Sequence, residues 1–325
     1  MRVLVTGALG FVGVNIVRQQ AERGQQVVAL ARREPDPDSV RFLGDAGAEV
    51  EWVRGDVTDR PLMAELVGEV GITHILHAAA FTATPEQEAA QPARLFDVNA
   101  GGTLNLLEAA REGGVQRLVF VSSSGVYGAA PPEPLKREDA PLTIRNLYAV
   151  CKETSERLCR RYSELCGFDA VVGRLGTAYG PMERTTRSRH GMSAVYSAAH
   201  AALADRRLTV HGAEIARDFC HVVDVADAYI ALLFADVLCH GVYNVAADGA
   251  FPLSDALHAL ADARPAFSWT EAEAGDAELV QVPANARAGL DISRLKEDTG
   301  WRPRFDLSAG ATAYLDWLEN GWGHV

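Results

Sequence analysis

Residues 3–13 read V-L-V-T-G-A-L-G-F-V-G, and this stretch decides the fold. Val3, Leu4 and Val5 form the short apolar run of a buried strand. Gly7, Gly10 and Gly13 follow at a spacing of three, and a helix begins at once with Val12, Ile16 and Val17 on one side. Strand, glycine turn and helix make the first unit of a dinucleotide-binding fold. The glycines let the chain turn tightly, let backbone approach a pyrophosphate, and let helix and strand pack closely. The pyrophosphate then lies on the positive end of the helix dipole, at Phe11 and Val12. A glycine triplet alone is a weak signal, because any tight strand-to-helix turn can use one.

Working outward, a second strand is expected at 27–31, with Arg32 and Arg33 at its end. In such folds this end meets the adenosine ribose, where an acidic residue binds the 2′-hydroxyl of NAD. Ala31, Arg32 and Arg33 offer none, and two guanidiniums suit a phosphate, so NADP is favoured over NAD. A third strand at 50–53 leads to Gly55-Asp56-Val57, where a carboxylate can accept from the adenine amino group. A fourth strand at 72–76 runs into His77, Ala78, Ala79 and Ala80, small residues suited to backbone beside a cofactor. Residues 82–92 read as a mobile polar loop, and 93–112 as one helix whose apolar face is interrupted by Asn99. Asn99 reads equally as a cofactor contact or as a packing residue.

A fifth strand at 118–121 ends in Ser122-Ser123-Ser124-Gly125-Val126-Tyr127-Gly128, and a Pro-rich loop and a helix carrying Tyr148 and Lys152 follow. With a sixth strand at 170–172, this alternation implies an α/β, Rossmann-type, doubly wound parallel sheet. The division expected is a dinucleotide-binding domain at 1–172 and a smaller C-terminal substrate-binding lobe at 173–325, with interleaving segments allowed.

Composition bounds the function. The 325 residues carry a net charge of −12, which argues against a general nucleic-acid binder but leaves room for a basic pocket holding an anionic substrate. No apolar run approaches the ~20 residues of a membrane span. Five cysteines without C-x-x-C suit free thiols in a reducing cytoplasm, and a strand starting at residue 2 leaves no expected leader. His74 and His77 face opposite sides of one strand, so no metal site is expected there.

Tyr148 and Lys152, four apart on one helix, share a face. A phenol and an ammonium there can flank one substrate oxygen, with the cation favouring the phenolate for proton exchange near neutrality. Ser123 would hold the same oxygen while a nicotinamide cofactor exchanges hydride with the carbon.

These residues resemble the extended short-chain dehydrogenase/reductases, which include nucleotide-sugar epimerases and dehydratases. The likeness rests on T-G-A-L-G-F-V-G (6–13), G-D-V (55–57), H-A-A-A (77–80), D-V-N-A-G-G-T (97–103), S-S-S-G-V-Y-G (122–128) and Y-A-V-C-K (148–152). It continues through A-Y-G-P (178–181), R-D-F-C-H-V-V-D-V-A (217–226) and G-W-R-P (300–303). It implies Ser123, Tyr148 and Lys152 as catalytic residues, with Lys152 and Ser122 also at the cofactor. It implies a homodimer packed through the helices of Asn99 and Tyr148. Sugar-dehydrating members look as if they carry an acidic pair where Ser124 and Gly125 stand, so dehydration is not expected. Nucleotide-sugar members typically have Asn where Thr177 stands, which loosens the tie to such substrates. Ser124, Thr177, Arg187 and Arg217 are the expected substrate contacts, and Arg217 of the R-D-F motif can bind a phosphate or carboxylate. Met182–His190 gathers Arg184, Arg187, Arg189 and His190, which reads either as an anion-binding loop led by Arg187 or as a solvated one. Three readings follow: an epimerase working by transient oxidation at a secondary alcohol of a sugar or nucleotide-sugar-like substrate, an NADP-dependent dehydrogenase or ketone reductase on a non-nucleotide substrate, and a non-catalytic NAD(P) sensor.

Overall fold

The computed structural model describes residues 1–128, 135–186, 189, 191–282 and 289–322. The first half runs β1 (Arg2–Thr6), α1 (Phe11–Glu22), β2 (Gln26–Ala31), α2 (Pro37–Leu43), β3 (Glu51–Arg54), α3 (Arg60–Val70), β4 (His74–His77), α4 (Pro85–Ala90), α5 (Pro92–Phe96), α6 (Gly102–Gly113), β5 (Arg117–Ser123), α7 (Leu147–Cys166) and β6 (Asp169–Leu175). The second half adds β7 (Thr177–Tyr179), α8 (Ala194–Leu203), β8 (Arg207–His211), β9 (Ala216–Arg217), β10 (Phe219–His221), α9 (Val222–Phe234), β11 (Val242–Val245) and β12 (Phe251–Pro252). It ends with α10 (Leu253–Ala263), β13 (Ser268–Glu271), β14 (Leu279–Val280), α11 (Ser293–Thr299) and α12 (Leu307–Trp317).

Seven parallel strands in the order β11-β6-β5-β4-β1-β2-β3 form the central sheet. Strand alternation sends Val3 and Val5 into a core with Ile16, Tyr229 and Leu232, and Leu4 into the opposite core with Met63, Leu107 and Phe120. Both faces are therefore buried, which is why these strands read as continuous apolar runs rather than alternating ones. The order reverses at β1, between β4 and β2, and opens a crevice at the carboxyl ends of β1 and β4.

The structure redraws three segments. Residues 82–92, read as a mobile loop, contain α4, closed by a capping box between Thr84 and Gln87, and the start of α5. The helix expected over 93–112 is broken by a π-turn, Asp97–Gly101, which holds Asn99. β6 continues to Leu175, and the sheet takes its last strand from Val242–Val245, so the two parts of the chain interleave.

The second lobe packs α8, α10 and α12 with the strands β13-β8-β14 around Val195, Ala198, Leu208, Leu257 and Tyr314. Asn15 of α1 stitches it to the glycine turn by donating to Pro181 O (3.0 Å). All five cysteines are free. Among the described residues no helix is long and apolar enough to cross a membrane.

Candidate active site

The glycine turn is as tight as its spacing implies. Gly7 has φ +67°, and a Cβ there would lie 2.7 Å from Ala79 Cα and N. A Cβ on Gly13 would lie 2.2 Å from Gly7 O, and Gly10 N donates to that same oxygen (2.8 Å). Gly10 caps α1 with no side-chain bond, and no acid stands in the first turn. The amides at Phe11 and Val12 are thus unspent on a cap, and the cradle fits a dinucleotide pyrophosphate.

A directed chain of hydrogen bonds sets the crevice wall. Thr103 Oγ1 gives its proton to Asn99 O (2.9 Å), so it accepts from His77 Nε2–H (3.1 Å). His77 Nδ1 then accepts from the Thr6 hydroxyl (2.7 Å), whose oxygen also accepts from Ala79 N (3.2 Å). Burial, then the charge of Lys152, holds the His77 imidazole down at about 3. Asn99 acts as a clamp: its Oδ1 accepts from Phe81 N (2.9 Å) and its Nδ2 donates to Phe81 O (3.0 Å). The clamp holds the end of the segment that carries Ala78, Ala79 and Ala80.

At the adenosine end, Asp56 Oδ1 accepts from Thr58 N and Oγ1 (3.1 and 3.0 Å) beside a cleft of about 400 Å³ that also touches Arg94, Asp97 and Asn105. Val57 is buried against Gly102. Arg32 is exposed. Arg33 pairs with Asp36 (2.7 Å), and Arg184 reaches the same carboxylate from the far lobe (2.8 Å) and Ser39 (2.9 Å). Burial opposes its charge, but the Ser39 amide, Arg33 and Arg184 bring the Asp36 carboxyl down to about 2. An acid therefore does stand near the end of β2. It lies five residues past Ala31, at the N-cap of α2.

Ser123, Tyr148 and Lys152 converge. The hydroxyls of Ser123 and Thr82 both bond the Tyr148 phenol. Lys152 is buried, donates to Val121 O (2.7 Å), and lies 5.6 Å from the Tyr148 ring centroid. Here the structure corrects one expectation. Burial pushes the Tyr148 phenol up to about 12, and the cation that draws it back is Arg189, not Lys152, whose ammonium is turned to the β5 carbonyl. Lys152 itself is lowered to about 8 by burial, against the opposing charge of Glu156. Ser122, expected at the cofactor, gives its hydroxyl to Glu156 (2.5 Å).

The expected substrate residues are dispersed. Ser124 is buried; Thr177 N donates to Asp218 O (2.7 Å); Arg217 is half-buried in β9. Arg187 and His190 lie outside the described residues. Of the basic loop, Arg184 is bound to Asp36, and Arg189 pairs with the fully buried Glu183 (2.7 Å) and lies 4.9 Å over the Phe11 ring. The sequence reading missed Glu156, Arg174, Thr82 and Asp36. Glu156, four residues past Lys152 on the same helix face, carried a visible signal.

Residues 3–246 match the NAD dependent epimerase/dehydratase family. The chain belongs to it. Within this family the chain is 32% identical to a UDP-glucose 4-epimerase of Mycolicibacterium smegmatis, over 98% of this chain and 99% of the relative. It is 28% identical to UDP-glucuronate 4-epimerase 6 of Arabidopsis thaliana, over 99% of this chain and 72% of the relative. The epimerase-family fold is seen again in a UDP-glucose 4-epimerase of Thermus thermophilus solved in complex with NAD. That structure has a TM-score of 0.78 and 30% identity, and the match covers 99% of this chain and 100% of that one.

Proposed function

We propose that this family member is an NAD-dependent epimerase that inverts a secondary hydroxyl of a nucleotide sugar by transient oxidation. The observation that carries this reading is the convergence of Ser123, Tyr148 and Lys152 beside the glycine cradle. The two curated relatives act, by their names, on UDP-sugars and match nearly the whole chain, which restores the tie that Thr177 loosened.

Held by the cradle of Gly7, Gly10 and Gly13, NAD would supply reversible hydride exchange at the carbinol carbon. Tyr148 Oη takes the hydroxyl proton as the hydride leaves and gives it back on return. Ser123 Oγ holds the substrate oxygen throughout, Arg189 supplies the positive charge that draws the phenol down, and Lys152 stays on the Val121 carbonyl beside the Tyr148 ring. Protons and electrons balance within one turnover, so no net redox occurs. Tyr148→Phe is expected to lower turnover of UDP-glucose or UDP-glucuronate at least ~10³-fold with NAD still bound, measured by product chromatography. Full activity in that variant refutes the mechanism.

Arg33 is spent on Asp36, so NAD is the cofactor proposed. Exposed Arg32 is the observation favouring the second reading, an NADP-dependent reductase. Retained, non-exchanging NAD in purified protein supports the epimerase; NADPH consumption with a carbonyl panel supports the reductase. We propose a cytoplasmic homodimer, supported by five free cysteines and by exposed Phe96, Leu104 and Val150 on α5, α6 and α7. Sedimentation velocity tests the dimer. The dinucleotide and substrate lobes are proposed as 1–172 and 173–325, with β11 and α9 returned to the first.

A further inference from the structure

Between α7 and the sheet lies a buried charged cluster that the proposed reaction does not use. Glu156 and Arg174 have side chains only 6% exposed and meet through Arg174 Nη2 at 2.7 Å and Nε at 3.1 Å. Arg174 Nη1 also donates to Tyr127 Oη (2.8 Å) and Glu138 O (2.9 Å), and Tyr127 Oη donates to Asn244 Oδ1 (2.8 Å). The pair therefore ties α7 to β6, β11 and the turn after β5. Two features aim it at the catalytic residues. Ser122 Oγ donates to Glu156 Oε1 at 2.5 Å, and Ser122 stands between Val121, whose carbonyl holds Lys152, and Ser123, which bonds Tyr148. Glu156 is also one helical turn beyond Lys152 on α7, as Tyr148 is one turn before it.

We propose that Glu156, with Arg174 as its buried counter-ion, is a positioning residue that sets the end of β5 against α7. It thereby fixes Ser123 and Lys152 relative to Tyr148. The inference rests on the reading of Ser123, Tyr148 and Lys152 as catalytic. Glu156 cannot reach substrate through this network; it acts through Ser122 and through its field at Lys152.

The surroundings of Lys152 make that field legible. From α7 come Glu156, the Tyr148 phenol, whose ring centre is 5.6 Å from Nζ, and the thiols of Cys151 and Cys159, the phenol and both thiols held in the neutral form by burial. From β4 comes neutral His77. From β5 come the Val121 carbonyl and the Phe120 ring, 4.6 Å from Nζ. Arg174 on β6 stands behind Glu156. Glu156 is the carboxylate that opposes the burial of the ammonium.

The chain has three lysines, Lys136, Lys152 and Lys296, so carbon-13 lysine NMR can follow Lys152 directly without any substrate. Wild type is expected to titrate at about 8 at this site. Glu156→Gln should move that titration down by about one pH unit, and Glu156→Asp should restore it to within ~0.5 unit. Turnover of UDP-glucose should fall ~10-fold in Glu156→Gln with KM within ~2-fold. A Glu156→Gln/Arg174→Met double variant leaves no unpaired buried charge, and the same direction of shift is expected if the single variant does not fold. A Lys152 titration unchanged in a folded variant overturns the proposal, even if turnover or stability falls. Absence of sugar turnover in wild type instead overturns the substrate reading, while the NMR titration still decides the role of Glu156.

Discussion

At the inner end of the groove, Glu156 and Arg174 are each 6% exposed and every polar edge facing them is satisfied. At the outer end, Asp36 is shared by Arg33, 52% exposed, and Arg184, 14% exposed. The materials are the same, a carboxylate between guanidinium groups, and the physics differs. The inner pair gains little net free energy from its attraction, because two ions had to leave water. Its effect is to fix geometry, since neither partner has an alternative. The outer pair keeps water as a competitor, so Arg184 holds the far lobe to the N-cap of α2 less firmly.

The largest effect expected from this contrast follows Arg174→Met, which strands Glu156 without its partner. Urea unfolding should show a loss of about 3–5 kcal/mol. A loss under about 1 kcal/mol would put the inner pair in the same class as the outer one.

Acid next separates the crevice wall, through His77, from the outer end. His77 has a folded-state pKa of about 3, below its unfolded value of about 6.5, so the unfolded chain binds the proton first. Its contribution is complete above about pH 6.5 and is lost as pH falls toward 3, amounting to about 2 kcal/mol between pH 7 and 5. Asp36, held at about 2, keeps its contribution down to the unfolded carboxylate range near pH 3.8 and loses it only below. Urea unfolding at pH 7 and 5 should therefore show this loss in wild type, and His77→Asn should reduce it by about 2 kcal/mol. An unchanged dependence in the variant removes His77 as its source.

Smaller still, Arg184→Ala should cost at most about 1 kcal/mol, fading in high salt, as read from the same unfolding curves. The smallest effect belongs to Arg32→Ala: NADP affinity should fall about threefold in a fluorescence titration and NAD affinity should hold. Equal losses for both cofactors would remove Arg32 from the 2′ position.

The same contrast explains what could be read from the chain. The Val3–Gly13 unit, the β5 serines and the Tyr148–Lys152 helix are local patterns, and local geometry alone brings each into shape. Thr84-Pro85-Glu86-Gln87 was equally local, a capping box read as loop because the polar composition of 82–92 outweighed it. The break at Asp97–Gly101 left a trace in Gly101 and in Gly102 just past it. Arg184 on Asp36 left none: the partners are 148 residues apart, and nothing in either neighbourhood names the other. The turning of Lys152 to Val121 O, and of Ser122 to Glu156, depends on how α7 settles on β5, which periodicity does not specify.

The position of β11 has a consequence for how the chain is made. Its pairing with β6 joins residues 242–245 to 172–175. Until the ribosome has extruded that late segment, β6 is an open edge whose residues from Ala170 to Arg174 are all buried in the finished sheet. A nascent chain of this protein thus carries an adhesive border through the synthesis of some 70 residues, several seconds at ordinary elongation rates. Chaperone capture, or aggregation of truncated products ending before Val242, is the cost of closing a sheet with a strand delivered last.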